Sequence, residues 1–260
     1  MVSVSAPSIK TVPHLRRALL DWYDEHARDL PWRQTRDPYA IWISEIMLQQ
    51  TRVDQGLPYY HRFLEAFPTI GALATATDDA VMKRWEGLGY YTRARNLHKA
   101  AQIVVEKYNG ALPEKVELLR MLPGIGKYTA GAVASIAFGE RAPILDGNVK
   151  RILSRIFNID ASIDDPSTEK EMWAMAETLV PRKDPGDFNQ AMMELGACLC
   201  TPKNPNCETC PVQSHCEAYS LGLQAQRPVR NPKKAVPHQE IVVAVLQRQG
   251  CYLIGKRPPK

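Results

Sequence analysis

No apolar stretch in the 260-residue chain approaches the ~20 residues that a bilayer-spanning helix needs, which excludes a helical membrane span. Met1 to Pro13 is short, contains Ser and Pro, and lacks the apolar core of a secretory signal. The expected setting is therefore reducing and cytoplasmic, nucleoid-associated if the host is bacterial, and disulfides are not expected there. Strand patterning is missing from everything before residue 239, so a sheet cannot organise the main body. Low hydrophobicity is absent too: at 45% hydrophobic residues the chain supports real cores and excludes wholesale disorder. The net charge of +5 suits a polyanionic partner without establishing one.

What the chain does contain is helix after helix, punctuated by Pro and Gly. Leu15, Ala18, Leu19, Trp22 and Tyr23 recur at helical spacing and predict a helix over His14–Arg28. Further helices are expected over Tyr39–Gln50, Pro58–Phe67, Asp78–Leu88 (capped by Thr77), Ala94–Tyr108, Pro113–Met121 and Lys127–Phe138. Val149–Phe157, Thr168–Val180 and Asp187–Cys200 follow, with Thr168 and Glu171 spaced as a capping box. Composition changes after Gly222. Gln224–His238 holds three prolines and four Lys or Arg residues, a linker signature. Ile241–Leu246, a turn at Gln247–Gly250 and Cys251–Lys256 then read as a β-hairpin, as if the chain stopped inside a second, β-rich domain.

Four cysteines lie within seventeen residues: Cys200, Cys207, Cys210 and Cys216, spaced C-x6-C-x2-C-x5-C. Such a thiolate set points to a metal or cluster site. Zinc is the rival, but zinc ribbons usually bring two close C-x2-C pairs, and only Cys207 and Cys210 are close here. An iron–sulfur cluster is favoured. Cys198 falls outside the spacing.

Leu122-Pro123-Gly124-Ile125-Gly126 separates two helical patterns. Gly124 and Gly126 permit a tight turn with positive φ and expose backbone amides at the start of the next helix. Amides and helix dipole together make an anion site suited to a nucleic-acid phosphate, with Lys127 adding charge beside it. An ordinary helix–turn–helix connection is the plainer alternative.

Together, this hairpin, Asp146 some twenty residues on and the four-cysteine loop resemble the helix–hairpin–helix DNA glycosylase superfamily, in its iron–sulfur branch. The likeness runs from about Leu15 to Tyr219. Within the branch, Pro31-Trp32-Arg33, Trp42 through Thr51, Gly87-Leu88-Gly89-Tyr90-Tyr91 and Ile144 through Val149 are similar to the motifs of the MutY adenine glycosylases. The tail resembles the first hairpin of that family's Nudix-like domain.

The resemblance implies an all-α, two-lobed fold with a DNA cleft between the lobes. Residues 29–137 would form a six-helix barrel with the hairpin, and residues 1–28 plus 138–222 the lobe with a [4Fe-4S] cluster. Residues 223–238 would be a linker, and 239–260 the start of the Nudix-like domain. The implied activity is removal of adenine mispaired with 8-oxoguanine or guanine in double-stranded DNA, by a monomer. Adenine leaves deoxyribose poorly unless its five-membered ring is protonated, so the chemistry needs an acid at the base and negative charge near the sugar. Glu45, in an apolar helix that would raise its pKa, suits the first role, and Asp146 the second. Lying in an exposed helix face and capping a helix are their plainer alternatives.

Carried over by position, Tyr128 and Asn148 would hydrogen-bond around the aspartate and sugar. Arg33 and Gln190 would contact the extruded adenine, with Trp32 and Leu48 as pocket wall or simply core. Gln50 and Tyr90 would insert into the DNA stack. Endonuclease III-like enzymes carry a Schiff-base lysine where Tyr128 stands, and a tyrosine cannot form that imine. Lys127 is one residue away, about 100° around the helix. A monofunctional enzyme is implied. Rival readings are a thymine-mismatch glycosylase on the same scaffold and a non-catalytic iron–sulfur DNA-binding protein.

Overall fold

A computed structural model describes residues 12–232, 238, 240 and 245–254. Two compact units result, Met1–Arg230 and Asn231–Lys260. The first is all-helical, with twelve α-helices among the described residues: α1 (Val12–His26), α2 (Pro38–Met47), α3 (Val53–Ala66), α4 (Ile70–Thr75), α5 (Asp78–Trp85), α6 (Thr92–Tyr108), α7 (Val116–Leu119), α8 (Lys127–Phe138), α9 (Gly147–Ile156), α10 (Pro166–Leu179), α11 (Pro185–Cys198) and α12 (Glu217–Ser220). None is long and apolar enough to cross a membrane.

Two hydrophobic cores organise this unit. The first gathers α2 to α8 around Trp42, Phe63 and Trp85, with the Phe63 and Trp85 rings edge-on at 5.8 Å. The second gathers α1, α9, α10 and α11 around Leu19, Ile152, Leu153 and Phe188. α2 and α8 are shared: Trp42, Ile43 and Val133 face the first core, while Ile41, Ala132 and Ile136 face the second. That explains why α8 is apolar all round, buried from Thr129 to Ile136. Its small residues admit close neighbours, and a side chain at Gly131 would collide with the Pro143 carbonyl.

Several helix ends differ from the sequence expectation. α2 stops at Met47 rather than Gln50. α3 starts five residues early and carries Pro58 inside it. α10 opens on Pro166 behind Asp165, so Thr168 is a buried interior residue rather than a cap. The short α4, capped by the Thr69 hydroxyl on the Ala72 amide at 3.1 Å, was not expected. Residues 224–230 stay on the helical unit rather than acting as free linker. Ile163 N donates to Val229 O at 3.0 Å, and the Arg155 guanidinium to Gln224 O at 2.9 Å.

In the second unit Gln247–Arg248 pairs antiparallel with Cys251–Tyr252, Gln247 opposite Tyr252. Gln249 and Gly250 both take positive φ, 51° and 76°, the two-residue turn whose twist suits a hairpin. The expected four-residue turn is thus two residues long, and Val245 and Leu246 lie outside the strand. Residues 1–11, 241–244 and 255–260, on which parts of the amino-terminal and hairpin expectations fall, lie outside the described residues.

Candidate active site

A cleft of about 980 Å³ opens along the shared helices and is lined by Trp32, Arg33, Glu45, Leu48, Gln50, Tyr128, Asp146, Asn148 and Gln190, among others. Glu45 reaches it from α2, every residue of which from Tyr39 to Met47 is buried. Burial pushes its carboxyl up to about 7; the nearby Asp146 adds to the rise, while a hydrogen bond from Tyr128 and the Arg33 charge oppose it. Tyr128, on the first turn of α8, has two acceptors for one phenolic proton. Its hydroxyl lies 3.1 Å from Met193 Sδ and also within hydrogen-bonding reach of Glu45. A carboxylate accepts far more strongly than a thioether, so the proton turns to Glu45 whenever Glu45 is ionised.

Asp146 caps α9, accepting from the Val149 amide at 2.8 Å. Burial raises its pKa, against the pull of the Val149 and Asn148 amides and of Arg151. Capping and facing the cleft are therefore not alternatives for this residue. Asn148 Oδ1 accepts from Arg151 Nη2 at 2.8 Å, and the same guanidinium donates to Cys200 O at 2.7 Å and Gly196 O at 2.8 Å.

Arg33 is more constrained than its sequence role suggested. Its Nη2 donates to Glu194 Oε2 at 2.7 Å and its Nη1 to Arg28 O at 3.0 Å, fixing the guanidinium in the wall. Glu194 is fully buried. Burial alone would raise its pKa, but hydrogen bonds from Arg28 and Arg33 and the Arg28 amide bring it down to about 2. Gln190 is buried, its amide 3.4 Å from Asp187 Oδ1. Trp32 serves core and cleft together, edge-on to Tyr60 at 5.1 Å. Sequence reasoning missed Arg28, Arg151, Arg155 and Glu194. For Arg151, Arg155 and Glu194 the available signal was charge among the apolar faces of α9 and α11; Arg28, just beyond the end of α1, offered none.

Gln50 and Tyr90 are exposed, and both sit at positive φ, 59° and 49°, unusual for residues with a Cβ. In the hairpin only Gly124 takes a left-handed φ, 78°, and a side chain there would meet Asn96 Cβ at 2.8 Å. Gly126 is extended and caps α8, and a side chain on it would point into open space. Lys127 lies elsewhere. Its Nζ is 3.8 Å over the Trp173 ring, in a groove with Arg120, Glu169 and Glu177 rather than in the cleft.

Cys200, Cys207, Cys210 and Cys216 surround an apolar cavity with Ile152, Leu195 and Val212. Tetrahedral zinc, with Zn–S bonds of about 2.3 Å, would require the sulfurs within about 3.8 Å of one another. Among the described residues no three His, Cys, Asp or Glu side chains are grouped to hold a single ion. Four thiols around an apolar space suit a group larger than a single ion, as a cluster is. Arg155 Nη1 lies 3.3 Å from Cys200 Sγ. Cys198 is exposed and outside the set.

A family model described as HhH-GPD superfamily base excision DNA repair protein matches residues 43–178. An adenine DNA glycosylase of Buchnera aphidicola is 40% identical over 239 residues, 92% of this chain and 68% of that protein. The chain belongs to the adenine DNA glycosylase family of that superfamily. A second model, the iron-sulfur binding domain of endonuclease III, matches residues 200–216, and the cofactor is a [4Fe-4S] cluster. Human adenine DNA glycosylase is 46% identical over 227 residues, 84% of this chain, and the chain spans 42% of that longer protein. Among solved structures, a thermostable thymine-DNA glycosylase superposes with a TM-score of 0.73 at 31% identity, covering 82% of this chain and 98% of that one. An endonuclease III–DNA complex shares the fold at TM-score 0.69 and 22% identity, covering 84% of this chain and 99% of that one.

Proposed function

We propose that the chain is a base-excision repair glycosylase that hydrolyses the N-glycosidic bond of adenine mispaired with 8-oxoguanine or guanine. The observation that carries this reading is Glu45, a buried carboxyl with a pKa near 7 in the cleft that also holds Asp146. A group poised at that value can lend a proton to the five-membered ring of an extruded adenine. Asp146 supplies negative charge to the oxocarbenium-like sugar, either as counter-ion or as nucleophile. Tyr128 and Asn148 orient these two groups, Arg33 and Gln190 meet the base, and Trp32 and Leu48 wall the pocket. Gln50 and Tyr90 fill the space that the base vacates. Backbone amides at the Gly124–Gly126 turn hold a DNA phosphate.

The reaction is monofunctional in this reading, because Tyr128 is no amine and the Lys127 ammonium is engaged on Trp173. The cluster, held by Cys200, Cys207, Cys210 and Cys216, folds its own loop and braces α9. Residues 29–137 and the segments 12–28 plus 138–222 act as the two lobes of the cleft. The test is alkali-developed strand cleavage of duplexes carrying A opposite 8-oxoguanine, A opposite guanine and T opposite guanine. Adenine release is expected. Release of thymine alone, the activity that a structural neighbour's name would suggest, overturns the assignment, as does no release at all.

A further inference from the structure

Arg93, at the start of α6, folds its guanidinium inward between two loops. Nη1 donates to Ile46 O and Met47 O, each at 2.9 Å, and to Gln49 O at 2.6 Å. Nη2 reaches Thr51 Oγ1 at 3.4 Å on the same loop. On the other loop it reaches Leu88 O at 3.5 Å and Gly89 O at 3.4 Å. The group lies 5.4 Å from the Trp85 ring centre and 5.3 Å from that of Tyr90. It forms no ion pair with a described carboxylate. Five of its six acceptors are backbone carbonyls, and those of Ile46 and Met47 lie at the negative end of α2, where a cation is favoured.

The two loops joined in this way are the ones tipped by Gln50 and Tyr90. Both tips hold left-handed backbone that side-chain-bearing residues adopt only where the surroundings over-determine it. One planar fork, donating to both loops at once, over-determines both. We propose that Arg93 is a positioning residue that locks the two loops into one rigid edge, so that Gln50 and Tyr90 enter the duplex in concert. It acts through those side chains and touches no substrate. This inference rests on the reading of Gln50 and Tyr90 as inserting residues.

Arg93→Lys is the informative change, because it keeps the charge but loses the fork that spans both loops. The probe is a duplex with 2-aminopurine in place of the target adenine, whose fluorescence rises when the base leaves the stack. Arg93→Lys should bind undamaged duplex as wild type does and lose most of that rise. Single-turnover excision from paired duplex should fall about ten- to a hundredfold, the scale of a small misplacement. Adenine in an unpaired loop needs little extrusion, so its excision should fall far less. An unchanged fluorescence rise, or equal losses on paired and unpaired adenine, would overturn the proposal. If Arg93→Lys does not fold, Gln50→Ala, Tyr90→Ala and their double variant decide: a single rigid edge requires non-additive losses, and additive ones overturn it. Glu45→Gln should flip without excising. A wild-type protein that raises the fluorescence yet releases no adenine would sink the reaction assignment, and loss of that rise in Arg93→Lys would still support the clamp.

Discussion

Glu45→Gln separates catalysis from stability, with opposite signs. The carboxyl's pKa stands near 7 against an ordinary 4.5, chiefly through burial. Between those two values the folded protein holds a proton that the unfolded chain has released, so stability falls as pH rises through this window. Below pH 4.5 the group costs nothing; above 7 the full cost applies, about 3 kcal/mol for a shift of this size. A glutamine keeps the shape and carries no charge, so Glu45→Gln should be more stable than wild type at pH 8 and closely matched at pH 4.5. Its excision rate should fall by about 10²–10⁴, the share that a general acid supplies. Wild-type single-turnover excision should decline as pH rises past about 7, where the acid form is lost. Thermal melts at the two pH values, single-turnover rates on the A:8-oxoguanine duplex and gel-shift affinities measure all three. Activity above a tenth of wild type would refute the acid role, and a melting temperature at pH 8 no higher than wild type would refute the burial argument behind it.

Asp146→Asn should fold normally, since asparagine caps a helix about as well as aspartate, and should lose about 10²-fold or more in excision. A folded variant with near-normal turnover would dismiss the charge argument. Cys207→Ser should lose iron and visible absorption together with the order of residues 200–216, whereas Cys198→Ser should keep both; equal iron contents would show that the cluster uses a different set. Glu194→Gln should destabilise by about 3 kcal/mol at neutral pH by leaving two arginines short of a partner. Because the Glu194 carboxyl is held near 2, its contribution is present above 4.5 and lost as pH falls toward 2, so the variant should flatten the acid limb of the stability curve; parallel melting of variant and wild type from pH 3 to 7 would contradict this.

Helix periodicity carried most of the fold because the stripes are local: Leu15, Leu19 and Tyr23 declare α1 without knowledge of anything distant. Ends were misplaced where a remote or unlikely group intervenes. α2 stops at Met47, and the carbonyls left free at its end are met by Arg93, more than forty residues on. α3 runs through Pro58, which reads as a helix start. α4, with six residues, is too short for a periodic signal. That Glu45 and Asp146 face one cleft could be anticipated only through the resemblance of their strings to a family's motifs, since on their own an exposed helix glutamate and a helix cap were the plainer readings. The Arg28–Glu194–Arg33 clamp could not be, since its partners lie 161 and 166 residues apart and each alone looks like a surface charge.

Two buried glutamates of the same cleft show why the site is read as functional rather than structural. Glu194 is met by three donors from Arg28, counting its backbone amide, and one from Arg33, and its carboxyl is held near 2. Glu45 is also buried, on an apolar helix, and accepts a hydrogen bond only from the Tyr128 hydroxyl among the described residues, so its carboxyl rises to about 7. The fold therefore has the means to satisfy a buried carboxylate and uses them on one and not the other. An apolar residue at 45 would suit the faces of α2 that pack on both cores and would remove the cost that ionisation brings. A carboxyl there, on the helix shared between the cores and beside a second carboxyl at a helix N-terminus, is what the proposed reaction calls for: a proton to deliver to the base and a charge to meet the sugar cation. Neither core packing nor capping accounts for it.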